Sequence, residues 1–205
     1  MERYLITQSL LSSWAYIFDS FEGYEDDAME SFLSTLRREP SEPTEAMLDG
    51  IEFEGEVYKT ASGFQRQAHA KWESGIQAVA AELKGAQFQV TARRELQIGD
   101  MIFVCYGILD ALCAGVISDV KYKQKSFGSL DLAGNYLDSA QHPMYFYLVP
   151  EAYEFRYLVS DGTDLYKEVY RRGECRDIAE IITDFISSIT SLGLLDEYKR
   201  HWLAK

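Results

Sequence analysis

Cysteine is scarce in this chain: three in 205 residues, scattered as Cys105, Cys113 and Cys175. An odd number without metal-ligand spacing excludes a disulfide framework and a structural zinc or iron–sulfur centre, and fits reduced thiols. Histidine is equally sparse, and neither His69 nor His201 has sequence partners that suggest a metal ligand. No stretch approaches the roughly 18 apolar residues of a membrane span. The opening Met1-Glu2-Arg3-Tyr4 lacks a basic segment followed by an apolar core, so a soluble, cytoplasmic protein without membrane association is expected. Basic residues are outnumbered, 20 Lys and Arg against 33 Asp and Glu, for a formal net charge of -13. That balance argues against indiscriminate binding to polyanions. It leaves room for a local basic face, because bases gather at Arg93-Arg94, at Lys121, Lys123 and Lys125, and at Arg171-Arg172. Internal repeats and low-complexity tracts are absent.

What is present is an alternation of helical and strand patterns. From Thr7, Leu10, Leu11, Trp14, Ile17, Phe18 and Phe21 recur at helical spacing, with Thr7 or Ser9 as a cap. A second helix is predicted from Glu25 to Arg38, ended by Pro40 and Pro43. A third begins after Thr44 and runs toward Gly63, with Phe53 and Val57 on its buried face. A fourth is predicted from Arg66 to Lys84, with Gly85 at its C-cap. From Gln87 the pattern turns to strands: an alternating run, a dense apolar run from Met101 to about Ala111, then "GVISDVKYK", which together read as an antiparallel meander. Asp161-Gly162 marks a hairpin, and "DIAEIITDFISSITSLG" a closing amphipathic helix followed by a tail with Trp202. This order predicts an α/β fold with one central mixed β-sheet flanked by helices.

The meander carries charges where an apolar hairpin needs none. Asp119 and Lys121 alternate with Val120, so acid and base share one face while Val120 enters the opposite layer. A turn at Cys113 to Gly115 brings Asp110 back toward Asp119. Two carboxylates on adjacent strands suit magnesium or manganese, and a lysine beside them can stabilise charge on a phosphoryl group. The competing reading is a surface salt bridge on a hairpin, worth little to stability.

In this order the residues resemble the PD-(D/E)XK nuclease superfamily, in particular its RecB-like and lambda-exonuclease-like branches. The aspartate ending one strand is Asp110, the D/E-x-K triplet is Asp119-Val120-Lys121, and the following Q-x-x-x-Y is Gln141-His142-Pro143-Met144-Tyr145. Gly50-Ile51-Glu52-Phe53-Glu54 matches the upstream helical motif, with Glu54 in the place of its histidine or glutamate and Glu56 a weaker substitute. Pro143 departs from the pattern and requires the helix to start near Ser139 to His142, leaving Gln141 at a mouth whose amides could receive a phosphate. The absence of four cysteines disfavours the iron–sulfur branch.

The resemblance implies a restriction-endonuclease-like core in a single domain, with residues 1–43 as an N-terminal helical segment and 44–205 as the catalytic core. It implies catalytic roles for Glu54, Asp110, Asp119, Lys121, Gln141 and Tyr145. Magnesium or manganese would be held by Glu54, Asp110, Asp119 and the backbone carbonyl of Val120. Arg93, Arg94, Lys123 and Lys125 are expected phosphate contacts, which position nucleic acid without reading its sequence. His142 is expected to be a satisfied structural histidine. The implied activity is metal-dependent hydrolysis of DNA phosphodiesters, as an end-processing exonuclease of recombination or repair. The acidic surface implies a homo-oligomer or a recombination or helicase partner. The alternative is a catalytically silent protein of the same fold, acting as a nucleic-acid-binding or protein-interaction module.

Overall fold

The computed structural model describes residues 2–19, 23–129 and 132–204; Phe21 of the first apolar stripe lies outside them. In chain order the elements are β1 (Arg3–Thr7), α1 (Gln8–Asp19), α2 (Glu25–Leu36), α3 (Glu45–Ala61), α4 (Glu73–Glu82), β2 (Gln87–Ile98), β3 (Met101–Cys113) and β4 (Val116–Tyr122). There follow α5 (Gln141–Leu148), β5 (Glu154–Ser160), β6 (Leu165–Arg171), α6 (Ile178–Ser191) and α7 (Leu195–His201), with short 3-10 turns at Phe127–Ser129 and Arg172–Glu174. The fold is the expected α/β architecture: a mixed sheet with helices on both faces. Among the described residues no single helix is long and apolar enough to cross a membrane.

Local chemistry accounts for most element ends. The Thr44 hydroxyl accepts from the Met47 N–H at 3.3 Å to cap α3, and Asp177 accepts from the Ala179 N–H at 2.8 Å to cap α6. Ala114 and Gly115 both have positive φ, 47° and 80°, the geometry of a two-residue turn matched to strand twist, and they join β3 to β4.

Three expectations are corrected. The segment Arg66 to Trp72 is not helical, and α4 begins only at Glu73. Glu73 holds the segment in an irregular path, accepting from the Arg66 guanidinium at 2.8 Å and from the His69 N–H at 2.7 Å. Residues Arg3–Thr7 form a strand that went unassigned, a five-residue run too short for periodicity to reveal. The tail contains a further helix, α7, ahead of Trp202.

The sheet runs β1-β3-β4-β5-β6, with β2 on the other edge of β3. Its first face packs against α1, α2, α5, α6 and α7 in a core that includes Leu10, Phe32, Phe103, Cys105, Met144, Phe155 and Phe185. Its second face packs against α3 and α4 through Phe53, Val57, Trp72, Ile76, Val120 and Leu158.

The long strand β3 organises the molecule. β2 runs antiparallel to it from Gln87↔Leu112 to Ile98↔Met101. The opposite edge is divided: β1 pairs in parallel from Arg3↔Ile102 to Thr7↔Tyr106, and β4 pairs antiparallel only at Ala111↔Ser118, Leu112↔Ile117 and Cys113↔Val116. Between them the edge of Gly107 to Asp110 is a fork without a strand partner. Beyond Ser118, β4 leaves β3 and continues in parallel with β5, Asp119 opposite Tyr157 and Lys121 opposite Val159.

Candidate active site

The fork is filled by α5. Tyr145 lies across it, its hydroxyl donating at 2.9 Å to the carbonyl of Ile108, which lies between the last β1 pair and the first β4 pair. The ring comes so close that a Cβ on Gly107 would lie 2.5 Å from Tyr145 Cε1.

At the same level the β2–β3 pair changes face. Val90 and Leu109 pack in the first core, whereas Phe88 and Ala111 pack in the second. The change occurs at Gln89, a non-glycine residue with φ 53°, opposite Asp110, and neither joins the ladder. Asp110 is thereby released from the sheet, and its Oδ2 accepts from the Val120 N–H at 2.9 Å where the β3–β4 ladder would otherwise continue.

Asp119 is buried at the start of the free part of β4. Its Oδ1 accepts a short hydrogen bond from the Gln141 amide at the first residue of α5. Its Oδ2 has no hydrogen-bond donor in good geometry and faces the Lys121 ammonium at 2.8 Å. Val120 between them enters the second core, as the alternation predicts. Glu54 comes from α3, holds a short hydrogen bond from the Tyr58 hydroxyl one turn on, and accepts from the Gln89 amide at 3.1 Å.

Burial raises the Asp110 carboxyl to about 8, with the charges of Asp119 and Glu54 adding to the shift. Burial likewise raises Glu54, against the Tyr58 hydrogen bond, and the Asp119 charge adds to it. Burial opposes the charge on Lys121, but Asp119 and Asp110 outweigh it and hold the ammonium above its usual value. Three carboxylates from three elements therefore act on one another electrostatically, with a charged lysine among them. Lys121 and Gln141 also line a cleft of about 390 Å³ between α1 and the 134–140 segment, with Gln8, Ser12, Tyr16 and Tyr136 on its walls.

This donor set suits a hard divalent ion. Burial and neighbouring charge disfavour the ionised forms of Asp110 and Glu54, and the buried Asp119 Oδ2 is paired with the Lys121 ammonium. Among the described residues no group of three or more His, Cys, Asp or Glu stands in metal-holding geometry.

The remaining expected residues separate. Gln141 is buried and its N–H donates to the Ser139 hydroxyl at 3.2 Å, so that amide is not the open phosphate receptor expected of the helix mouth. Pro143 falls within the first turn of α5, where its missing N–H costs nothing. Glu56 is engaged by Lys59 and Arg66. Arg94 is committed to α5, donating to the Tyr147 carbonyl at 3.0 Å and lying over the Tyr147 ring, while Arg93, its neighbour on the alternating strand, belongs to the other face. Lys123 and Lys125 are exposed beyond the end of β4. His142 is buried, stacked on Tyr170 and 3.1 Å from the Tyr157 hydroxyl; burial lowers it to about 4, so it is neutral and structural.

Gln89, Tyr58 and Tyr136 were not read from the sequence. Tyr58 stands four residues after Glu54 on a helix and was findable from that spacing. Gln89 owes its place to a positive φ that glutamine does not announce. Tyr136 is stacked on Tyr157 with a buried hydroxyl lacking a hydrogen bond, and its surroundings include the charges of Lys121 and Asp119.

No family model matches the chain, and no curated protein sequence matches it. Solved structures do. The fold is similar to that of SSO0001, at 16% identity over 93% of this chain and 79% of that one, with a TM-score of 0.51. It is also similar to that of LHK-Exo in complex with dAMP, at 13% identity over 95% of this chain and 91% of that one, with a TM-score of 0.52. At such identities what is shared is the architecture, and it extends over nearly the whole chain.

Proposed function

We propose that this chain is a divalent-metal-dependent nuclease that hydrolyses DNA phosphodiesters, as an end-processing exonuclease of recombination or repair. The observation that carries the reading is the convergence at the β3–β4 fork. Asp110, Asp119 and Glu54 arrive from three elements, and Lys121 is held charged beside Asp119. Likeness of fold to LHK-Exo, which was solved with a nucleotide bound, supports the same direction.

Asp110 and Asp119, with Glu54 and the Val120 carbonyl, would hold magnesium or manganese; such an ion, when bound, supplies Lewis acidity toward a phosphoryl oxygen and a lowered pKa for its water. Lys121 places a fixed positive charge where negative charge accumulates during in-line attack. Gln141 fixes the orientation of Asp119, and Tyr145 keeps the fork open at a set width. Arg93, Lys123 and Lys125 are left for phosphate contacts, since Arg94 is occupied by α5. With a net charge of -13, productive binding would draw on oligomerisation or a partner protein.

The test is cleavage of end-labelled linear and closed circular DNA, single- and double-stranded, with magnesium or manganese. Cleavage of linear substrate only is expected. Lys121→Ala should slow it about 100-fold or more, and Asp119→Ala should abolish it. Unchanged cleavage by Asp119→Ala would overturn the assignment of the site. Absence of cleavage under every condition would favour the silent binding module instead.

A further inference from the structure

In this acidic protein most arginines already have partners. Arg3, Arg37, Arg66, Arg156, Arg176 and Arg200 face carboxylates, and Arg94 and Arg172 donate to main-chain carbonyls. Among the described residues Arg38, Arg93 and Arg171 have neither kind of partner. Two of these three, Arg38 and Arg93, line one cavity of about 350 Å³, together with Leu5, Tyr106, Leu203 and Ala204. Arg38 is held in place from below, its guanidinium 4.5 Å above the Trp202 ring and its backbone at φ 56°.

The cavity lies in line with the fork. Arg93 is the register partner of Tyr106 on β3. Tyr106 and Ile108 alternate along that strand onto one face, which continues up to the change of face at Asp110. At about 3.3 Å per residue, the four residues from Tyr106 to Asp110 span roughly 13 Å. Ile108, halfway along, is 41% exposed, so no helix covers this stretch of the second face. Two guanidinia without carboxylate partners, walls of tyrosine and leucine, and the exposed Ile108 thus lie along the one strand that leads to Asp110.

We propose that this cavity is a phosphate-binding station for a single strand of nucleic acid that runs along the uncovered face of β3 to the carboxylate site. The proposal rests on the nuclease reading and adds the course of the strand. Guanidinium groups grip phosphate in a fork geometry. Tyr106 and Ile108 offer the apolar platform on which unpaired bases rest, which a duplex, with its bases sealed inside, would not use.

Binding of a dye-labelled single-stranded oligonucleotide, followed by fluorescence anisotropy with EDTA present to prevent cleavage, tests this across a range of salt concentrations. Each phosphate contact with a single strand contributes about 0.7 to the slope of log affinity against log salt. Arg93→Ala should reduce that slope by about 0.7, and the Arg38→Ala/Arg93→Ala double variant by about 1.4. Arg171→Ala, which removes an unpartnered arginine elsewhere, should leave the slope as in the wild type. Because Arg38 also stacks on Trp202, the Arg93→Ala result decides alone if the double variant melts early. A wild-type slope in Arg93→Ala, no single-strand binding at all, or an equal loss in all three variants would overturn the station. If Arg93→Ala lowers the slope while no cleavage is found, the nuclease reading fails and the station stands; intact cleavage with an unmoved slope removes the station alone.

Discussion

Asp110 concentrates the energetic conflict of the site in one side chain. Its carboxyl is released from the strand ladder; burial first, then the charges of Asp119 and Glu54, raise its pKa against the Val120 N–H hydrogen bond. In the unfolded chain an aspartate titrates near 3.9; in the folded chain Asp110 titrates at about 8. Between those values the folded state holds a proton that the unfolded state has lost, so stability is full below pH 4 and declines as pH rises toward 8. Without divalent metal, the melting temperature of the wild type should fall from pH 5 to pH 8. Asp110→Asn, which keeps an acceptor for the Val120 N–H, should flatten that fall and be the more stable of the two at pH 8. Thermal melts by circular dichroism at each pH check this, and parallel curves for the two proteins would count against it.

At the scale of elements the active geometry comes from strands that fail to pair. Along β3 the pairing with β1 stops at Tyr106, the pairing with β4 starts at Ala111, and α5 fills the interval with Tyr145. Gly107 is the position that permits this, because a methyl group there would sit 2.5 Å from a ring that is only 6% exposed. Gly107→Ala should destabilise the protein by about 1–3 kcal/mol, the usual cost of overpacking. Urea unfolding would show it as a lower midpoint at unchanged slope. In a Tyr145→Ala background most of that cost should vanish, since the two side chains would no longer compete for one space. If the cost persists there, the clash is not with Tyr145.

At the scale of the whole molecule the segment after α7 closes the sheet. Trp202 is buried, its indole N–H donates to the Leu36 carbonyl of α2 at 2.8 Å, and its carbonyl accepts from Leu5 of β1. Leu203 bridges to Tyr4, and the Ala204 N–H donates to the Arg3 carbonyl at 2.8 Å. One residue thus ties the tail, a helix and an edge strand, and the same ring supports Arg38 in the proposed strand path. Trp202→Ala should cost about 3–5 kcal/mol by loss of buried aromatic surface. It should also weaken single-strand binding, whereas Trp202→Phe should recover most of the stability. Denaturant melts and anisotropy on the same samples separate the two effects; full stability in Trp202→Ala would show that the tail does not hold the sheet.

The amino-acid sequence by itself determined the elements whose signals are local. Capping by Thr44 and Asp177, the Ala114-Gly115 turn and the Asp161-Gly162 hairpin each depend on residues next to one another in the chain. Alternation was enough to place Val120 in a core and Asp119 with Lys121 on the other side. Alternation and the turn brought Asp110 toward Asp119 and Lys121, the family resemblance added Gln141 and Glu54, and the structure gathers these five side chains around the fork. Tertiary structure decided what depends on distant partners. The helix expected from Arg66 was shortened because Glu73 reaches back to Arg66 and His69. β1 exists because β3 offers it an edge. Gln89 entered the site only because the strand pair turns over opposite Asp110, and Arg93 and Arg94, neighbours in the chain, were sent to different faces. Local patterns carry capping, turns and alternation, whereas the choice of a strand's partner, and therefore of what each charge faces, is made between segments tens of residues apart.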